Sequence, residues 1–489
     1  MLRFMKISTQ ASYAAITAMI FCLFLSCKKN ESPAPDNSIR NENQLVKDSV
    51  FYYFNLYSLW SDGMVPDNES MYAFTDQFDS PSNTLLALKS TTPYKDSYAG
   101  SIDRFSYIEN ITNASPNRSF GIYAAIGAVS ENLAYPIVYF VDGNSPAKIA
   151  GIKRSDKILT VNNQDLKISI SCDANGCRPL NDTQYESVIK TLFTAMHQQS
   201  MQLKIKNAES AETSVKLDAK LYTPNSIIEN QIFEYPNKNI GYLALSSFQD
   251  LDTNNERKIE LNQIFSGFED GQINDLVFDL RYNSGGSVST AEYLANKLIN
   301  EASASALMYS YELNPYLTKN PNHANYSFEP IYFKKNSTLN LNTVYFLVTD
   351  ATASASELLI HVLKPYMNVV VVAENSSTYG KPVGFFKQEI MNKIALWVAS
   401  FKFINAQGET DYWNGFAATI GNVPDNLFYD FGDKDEPMLA RAISHSVGNN
   451  KISKNTKAIT EINSIRNTKL GFVNLISDKY MLDRKEFRH

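Results

Sequence analysis

Thr349-Asp350-Ala351-Thr352-Ala353-Ser354-Ala355-Ser356-Glu357-Leu358-Leu359 follows directly on the apolar run Val344-Tyr345-Phe346-Leu347-Val348. That run has the β-branched and aromatic content of a buried strand, whereas Leu358, Leu359, Val362 and Leu363 recur at helical spacing. A strand therefore hands over to a helix across a turn of small hydroxyl residues. Free amides and the positive end of a helix dipole gather at such a corner, so a serine there serves either as a helix cap or as a nucleophile. The stretch alone does not separate the two roles, and the chain on either side of it is needed.

Upstream, Leu276-Val277-Phe278-Asp279-Leu280-Arg281 reads as a second buried strand that runs into Tyr282-Asn283-Ser284-Gly285-Gly286 and a helix over 290–299. A third strand, Ile240-Gly241-Tyr242-Leu243-Ala244-Leu245, precedes a helix through Ile259, Leu261, Ile264 and Phe265. Downstream, Val369-Val370-Val371-Val372-Ala373 is one more strand, 394–403 has antiparallel character, and 436–445 reads as a closing helix. Strands alternating with helices predict an α/β layered core.

Two regions of different texture come first. Val50, Phe51, Tyr52, Tyr53, Phe54, Leu56, Tyr57, Leu59 and Trp60 predict a packed aromatic helix, broken at Asp62-Gly63 and Pro66-Asp67, with Ser80-Pro81 opening another. From Phe120 to Tyr222 the period shortens to strands, with one helix over 182–197 whose Tyr185, Val188, Ile189, Leu192, Phe193 and Met196 share a face.

The chain has 489 residues, 44% of them hydrophobic, enough for two or three domains. Its net charge of −6, with no long basic run, argues against a nucleic-acid partner. Arg3, Lys6 and an apolar segment over 11–25 form a secretory signal, too short for a comfortable membrane span. Leu25-Ser26-Cys27 resembles a bacterial lipobox, which would make Cys27 the lipidated first residue, tethered by polar 28–43 to an envelope membrane. Cys22 would leave with the signal. Cys172 and Cys177, with four residues between them, are then expected to close a small disulfide loop in an oxidising compartment. No Cys or His cluster accompanies them to complete a metal site.

Ser145-Pro146-Ala147, Ala150-Gly151-Ile152, Asp156 and Val161-Asn162 resemble a bacterial PDZ domain, with Ser155 and Asn163 standing where glycine is usual. The resemblance implies a groove that takes an extended chain by strand addition, and assigns its carboxylate loop to Phe120, Gly121 and Ile122.

Asp279-Leu280-Arg281-Tyr282-Asn283-Ser284-Gly285-Gly286, then Ala353-Ser354-Ala355-Ser356-Glu357, then Tyr379-Gly380-Lys381, in that order behind a PDZ-like segment, resemble the C-terminal-processing (tail-specific) serine peptidases. The resemblance covers about residues 116–445. It implies a crotonase-like, ClpP-like α/β core and a Ser/Lys dyad, with Ser354 as nucleophile and Lys381 as base. The oxyanion hole would be drawn from Ala355 and Gly285 or Gly286, and no cofactor is required. Ser356 takes a supporting or capping role. The physical chemistry agrees, since a lysine acts as a base near neutral pH only when desolvated, and Lys381 follows an apolar strand and a glycine turn. His361 lies about 10 Å of helical rise from Ser354, too far to serve it. Asp279 and Arg281 read as an internal ion pair. Family members carry a glutamine four residues after the lysine. Phe385 occupies that position here, which leaves Gln388 as the nearest substitute, and the Ser354-to-Lys381 spacing is about two residues long through 375–378.

The expected organisation is a signal peptide over 1–26, a tether over 27–44, a helical domain over 45–115, a PDZ-like domain over 116–222, a peptidase domain over 223–447 and a tail over 448–489. The expected function is a secreted, lipid-anchored endopeptidase of the cell envelope, acting on protein tails or extended segments. The alternative is a protein of the same fold that binds peptides or apolar ligands without turnover.

Overall fold

The structure, a computed structural model, describes residues 40–91, 103–111, 118–173, 176–320, 328–448 and 469–473. The signal segment, Cys27 and nearly all of the tether lie outside the described residues.

The first part comprises α1 (Glu42–Tyr57), α2 (Asn68–Thr75), α3 (Pro81–Thr91) and β1 (Tyr107–Asn110). Asn41 and Gln44 open α1 as a capping box, each side chain accepting the other's backbone amide at 3.0 Å. Val46, Val50, Phe54 and Tyr57 form the buried stripe of α1, and they pack with Phe386, Leu396 and Val398 in one core. The N-terminal helices thus share their core with the C-terminal half of the chain, and β1 pairs with residues 394–397 there.

The middle unit holds β2 (Ile122–Ser130), β3 (Leu133–Val141), α4 (Pro146–Ile149), β4 (Lys157–Val161), β5 (Gln164–Asp165), β6 (Ile168–Asp173), β7 (Gly176–Pro179), α5 (Asp182–Met196), β8 (Ser200–Lys206) and β9 (Glu212–Asp218). Val188, Leu192 and Ala195 of α5 are buried against the sheet, one and two turns apart. Ser155 and Asn163 both adopt positive φ, 75° and 64°, the conformation that glycine would supply at these turns. Cys172 and Cys177 face each other across the β6–β7 hairpin and are disulfide-bonded.

The third unit runs through β10 (Ile227–Tyr235), β11 (Lys238–Leu245), α6 (Asn255–Asp270), β12 (Asp275–Asp279), α7 (Val288–Leu298), β13 (Leu307–Leu313), α8 (Pro315–Lys319), β14 (Ile331–Tyr332), β15 (Thr343–Val348), α9 (Ala355–Leu363), β16 (Asn368–Ala373), β17 (Val383–Ile390), β18 (Ile394–Ile404) and α10 (Pro437–Ser446). Strands β11, β12, β15 and β16 are parallel, and β10 is antiparallel at the edge. Successive residues of these strands point to opposite faces, so Leu276 and Phe278 enter one core with α6, α7 and α9, while Val277 enters another with α10 and β3. Burial on both faces explains why the strands read as continuous apolar runs. A separate sheet, β1-β18-β13-β14 with β17 on β18, lies beside this layer. A last strand, β19 (Lys469–Val473), returns to the middle unit.

Candidate active site

Strands β12 and β15 are parallel neighbours, with Asp279 opposite Leu347, so the loops leaving their carboxyl ends are adjacent. Open α/β sheets bind ligands at such ends. The β12 loop carries Gly285 at φ 105°, and a Cβ there would sit 2.8 Å from Ala353 O and Ala355 N and 3.0 Å from Ser354 Cβ. Only glycine lets the turn approach the serine this closely. Asn283 ties the two loops, accepting Gly285 N–H on its side chain at 2.9 Å and Ser356 Oγ on its carbonyl at 3.2 Å. The hydroxyl of Ser356 is thus a brace between the loops.

Ser354 sits at the corner with φ 56° and ψ −119°. A non-glycine residue held at positive φ costs about 1–3 kcal/mol and persists only where its surroundings over-determine it. Here they do, because every residue of α9 is buried, Leu358, Leu359, Ile360, Val362 and Leu363 among them. Each such side chain contributes roughly 1.5–3 kcal/mol over its exposed state. Glu357, also fully buried, turns its carboxylate back to accept four donors: Ser354 N at 3.0 Å, Thr378 Oγ1 at 2.6 Å, Gly380 N at 2.7 Å and Lys381 N at 2.8 Å. One carboxylate thereby joins the serine corner to the lysine loop. Burial raises the Glu357 carboxyl above its usual range, against the pull of these donors.

The lysine loop is fixed from several sides. Arg104 donates to Gly380 O at 2.5 Å and to Trp413 O at 2.7 Å. A Cβ on Gly380, at φ 92°, would lie 2.2 Å from Trp413 O. The lengthened segment is not only a surface turn: Asn375 and Ser376 are exposed, but Thr378 is buried on Glu357. Burial lowers the Lys381 ammonium from 10.5 to about 8, with the charge of Glu357 opposing the shift. Its Nζ lies 4.5 Å from the centroid of the Phe385 ring. Gln388 does not take the orienting role expected of it. It stands three residues beyond Phe385 on β17, an odd offset that turns it to the other face of the strand. Among the described residues no hydrogen bond joins Ser354 Oγ to Lys381 Nζ. Catalytic hydrogen bonds commonly tighten only when substrate is bound.

Of the three amides expected to line an oxyanion hole, two are left without an acceptor among the described residues. Asn283 already takes the N–H of Gly285, so Gly285 shapes the corner and does not supply a free amide. Gly286 N and Ala355 N have no acceptor among the described residues. Gly286, at φ 140°, is pinned against Phe248, whose carbonyl a Cβ would meet at 2.2 Å.

Two expected bystanders are structural. His361 is buried against Tyr412 and Phe416, and burial lowers its imidazole to about 4. Arg281 pairs with Asp279 at 2.6 Å, Asp425 at 2.8 Å and Glu436 at 3.1 Å, with all four side chains buried. Arg154 of the middle unit joins the same cluster, 2.6 Å from Asp425 and 2.7 Å from Tyr282 Oη.

A serine on a strained strand-to-helix corner, a glycine turn packed on it and a desolvated lysine on a loop tied to both are carried by a segment with a recognisable family model. Residues 239–420 match peptidase family S41. That S41 segment contains Ser354, Lys381, Glu357, Gly285 and Gly286 and leaves out the middle unit. The chain is 24% identical over 293 residues to the carboxy-terminal processing protease CtpA of Bacillus subtilis, a match covering 60% of this chain and 54% of that protein. It is 24% identical over 311 residues to a CtpA-like serine protease of Staphylococcus epidermidis, covering 61% and 55%. The chain therefore spans about half the length of the curated relatives it matches. An S41 protease crystal structure from Bacteroides fragilis shares the fold, with a TM-score of 0.61 and 22% identity over 82% of this chain and 97% of that one.

Three residues that hold the serine corner and the lysine loop escape the sequence reading in that role: Glu357, Arg104 and Phe385 as a partner of Lys381. For Glu357 a signal exists, since Ser-x-x-Glu ahead of an apolar run is a capping-box pattern. The residues expected to cradle a peptide carboxylate open β2. Gly121, at φ 69°, donates its amide to Ser119 Oγ at 3.1 Å, and Phe120 O accepts from Ala147 N at 3.0 Å.

Proposed function

We propose that this chain is a serine endopeptidase of the C-terminal-processing type, with Ser354 as nucleophile and Lys381 as general base. The observation that carries the proposal is the Glu357 carboxylate, which binds the backbone of both residues and fixes a lysine lowered to about 8 beside the serine corner. In this mechanism neutral Lys381 Nζ takes the Ser354 proton as Oγ attacks the scissile carbonyl carbon. The amides of Ala355 and Gly286 hold the oxyanion. Collapse breaks the C–N bond, and Lys381 returns the proton to the leaving amine. Water, deprotonated by the same lysine, then hydrolyses the acyl-enzyme. No metal or organic cofactor enters these steps.

The middle unit acts in this account as a PDZ domain on a crotonase-like peptidase core and positions protein tails or extended segments. Cys27 anchors the secreted protein to an envelope membrane. Ser354→Ala and Lys381→Ala are each expected to abolish cleavage of an unfolded, tailed reporter while leaving thermal unfolding nearly unchanged. Full activity in either variant contradicts the proposal. A protein that only binds peptides would bind the reporter tightly and cleave it in neither form.

A further inference from the structure

The chain beyond α10 is polar and lysine-rich except for an apolar patch, Leu470-Gly471-Phe472-Val473-Asn474-Leu475-Ile476. Within that patch, β19 pairs antiparallel with β2: Lys469 lies opposite Gly127, Gly471 opposite Ile126, Phe472 opposite Ala125 and Val473 opposite Ala124. The other edge of β2 belongs to β3, so β19 occupies the one edge that β2 leaves open. It also lies against α5 and against β7 of the disulfide hairpin. The strand therefore fills the slot between a sheet edge and an amphipathic helix, and it runs toward Phe120, Gly121 and Ile122. An extended peptide that adds to a sheet edge takes this geometry, with main-chain hydrogen bonds supplying the affinity.

We propose that Lys469–Val473 is an intramolecular ligand of the groove between β2 and α5, which an incoming protein tail must displace. The inference rests on the reading of the middle unit as a peptide-binding domain. The class of ligand is an extended, apolar segment, and an internal one, because Asn474 and the residues after it continue the chain past β19. The tether is long enough for exchange. Residues 449–468 separate the described end of the α10 region from β19, and twenty residues reach at most about 70 Å when extended. A ligand tethered this way competes at an effective concentration on the order of 1 mM. External peptides are therefore held off unless they bind better than the chain's own segment.

The test uses the full chain carrying Ser354→Ala, so that no probe is consumed, with and without Gly471→Pro and Phe472→Pro. Two adjacent prolines remove whichever of the two amides points at β2. The probe is a fluorescein-labelled synthetic peptide of residues 466–476, followed by anisotropy. The proline variant is expected to bind it at least about ten-fold more tightly than the parent, and amides 124–127 of the variant should exchange faster until peptide is added. In the parent, a millimolar excess of the same peptide should accelerate exchange at 469–473 and leave β2 protected. Equal affinity for the two chains, or no binding to either, overturns the proposal, as does unchanged exchange at 469–473 in the parent. These readouts do not involve cleavage, so they stand or fall separately from the assignment of the Ser/Lys pair.

Discussion

The carboxylate of Glu357 accepts the backbone amides of Ser354 and Lys381 at 3.0 and 2.8 Å, so one buried side chain sets where these two residues stand relative to each other. Charge-assisted bonds of this kind contribute about 1.5–3 kcal/mol each. Glu357→Gln keeps the shape but removes the charge and half of the acceptor capacity, and is expected to lower kcat by on the order of 10- to 100-fold. It has a second signature. The Glu357 charge raises the Lys381 ammonium, so its removal lets that group fall below about 8, and the rise of kcat/KM with pH should move to lower pH. A reduced kcat with an unmoved pH midpoint contradicts this placement.

Phe385 is the second positioning residue. Its ring lies against Lys381 Nζ, at the position where the family resemblance leads one to expect a glutamine, and a cation held over an aromatic face is worth about 1 kcal/mol. Phe385→Leu is expected to reduce kcat roughly five-fold with KM little changed. Phe385→Gln should recover much of that loss, because an amide also holds an ammonium. A variant whose KM alone changes would show that the ring only packs.

Arg154 links the middle unit to the buried cluster behind the active-site loops, through Asp425 and Tyr282. Truncating one partner of a buried pair leaves an uncompensated charge, at a cost of about 3 kcal/mol or more. Arg281 remains on Asp425 and keeps the effect near the lower end. Arg154→Ala should therefore shift the denaturant midpoint by an amount equivalent to roughly 3 kcal/mol. An unchanged midpoint would remove the cluster from the account.

The strand-to-helix corner, the Gly285-Gly286 turn and Lys381 were legible in the sequence because each sits where a periodicity changes, and local chain geometry alone brings such residues to strand ends. The parallel strands were equally legible, since burial on both faces leaves unbroken apolar runs such as 369–373. What was not legible depends on contacts distant in sequence. Arg104 reaches Gly380 O from 276 residues away and has no pattern of its own. The pairing of β19 with β2 is likewise invisible in a polar tail. Gln388 stands on the face of β17 opposite Phe385, as the alternation of a strand dictates. The role of Glu357 was half visible: its capping-box spacing marks a helix start, but only the folded loop shows Thr378, Gly380 and Lys381 gathered on the same carboxylate.

The measurement that bears most directly on the Ser354–Lys381 assignment is the rate at which a serine-directed acylating probe modifies the protein across pH, with the adduct mapped by mass spectrometry. The account predicts a single adduct on Ser354, forming at a rate that rises through about pH 8 as Lys381 loses its proton and that collapses in Lys381→Ala. An adduct on another residue, or an unchanged rate without Lys381, would contradict it.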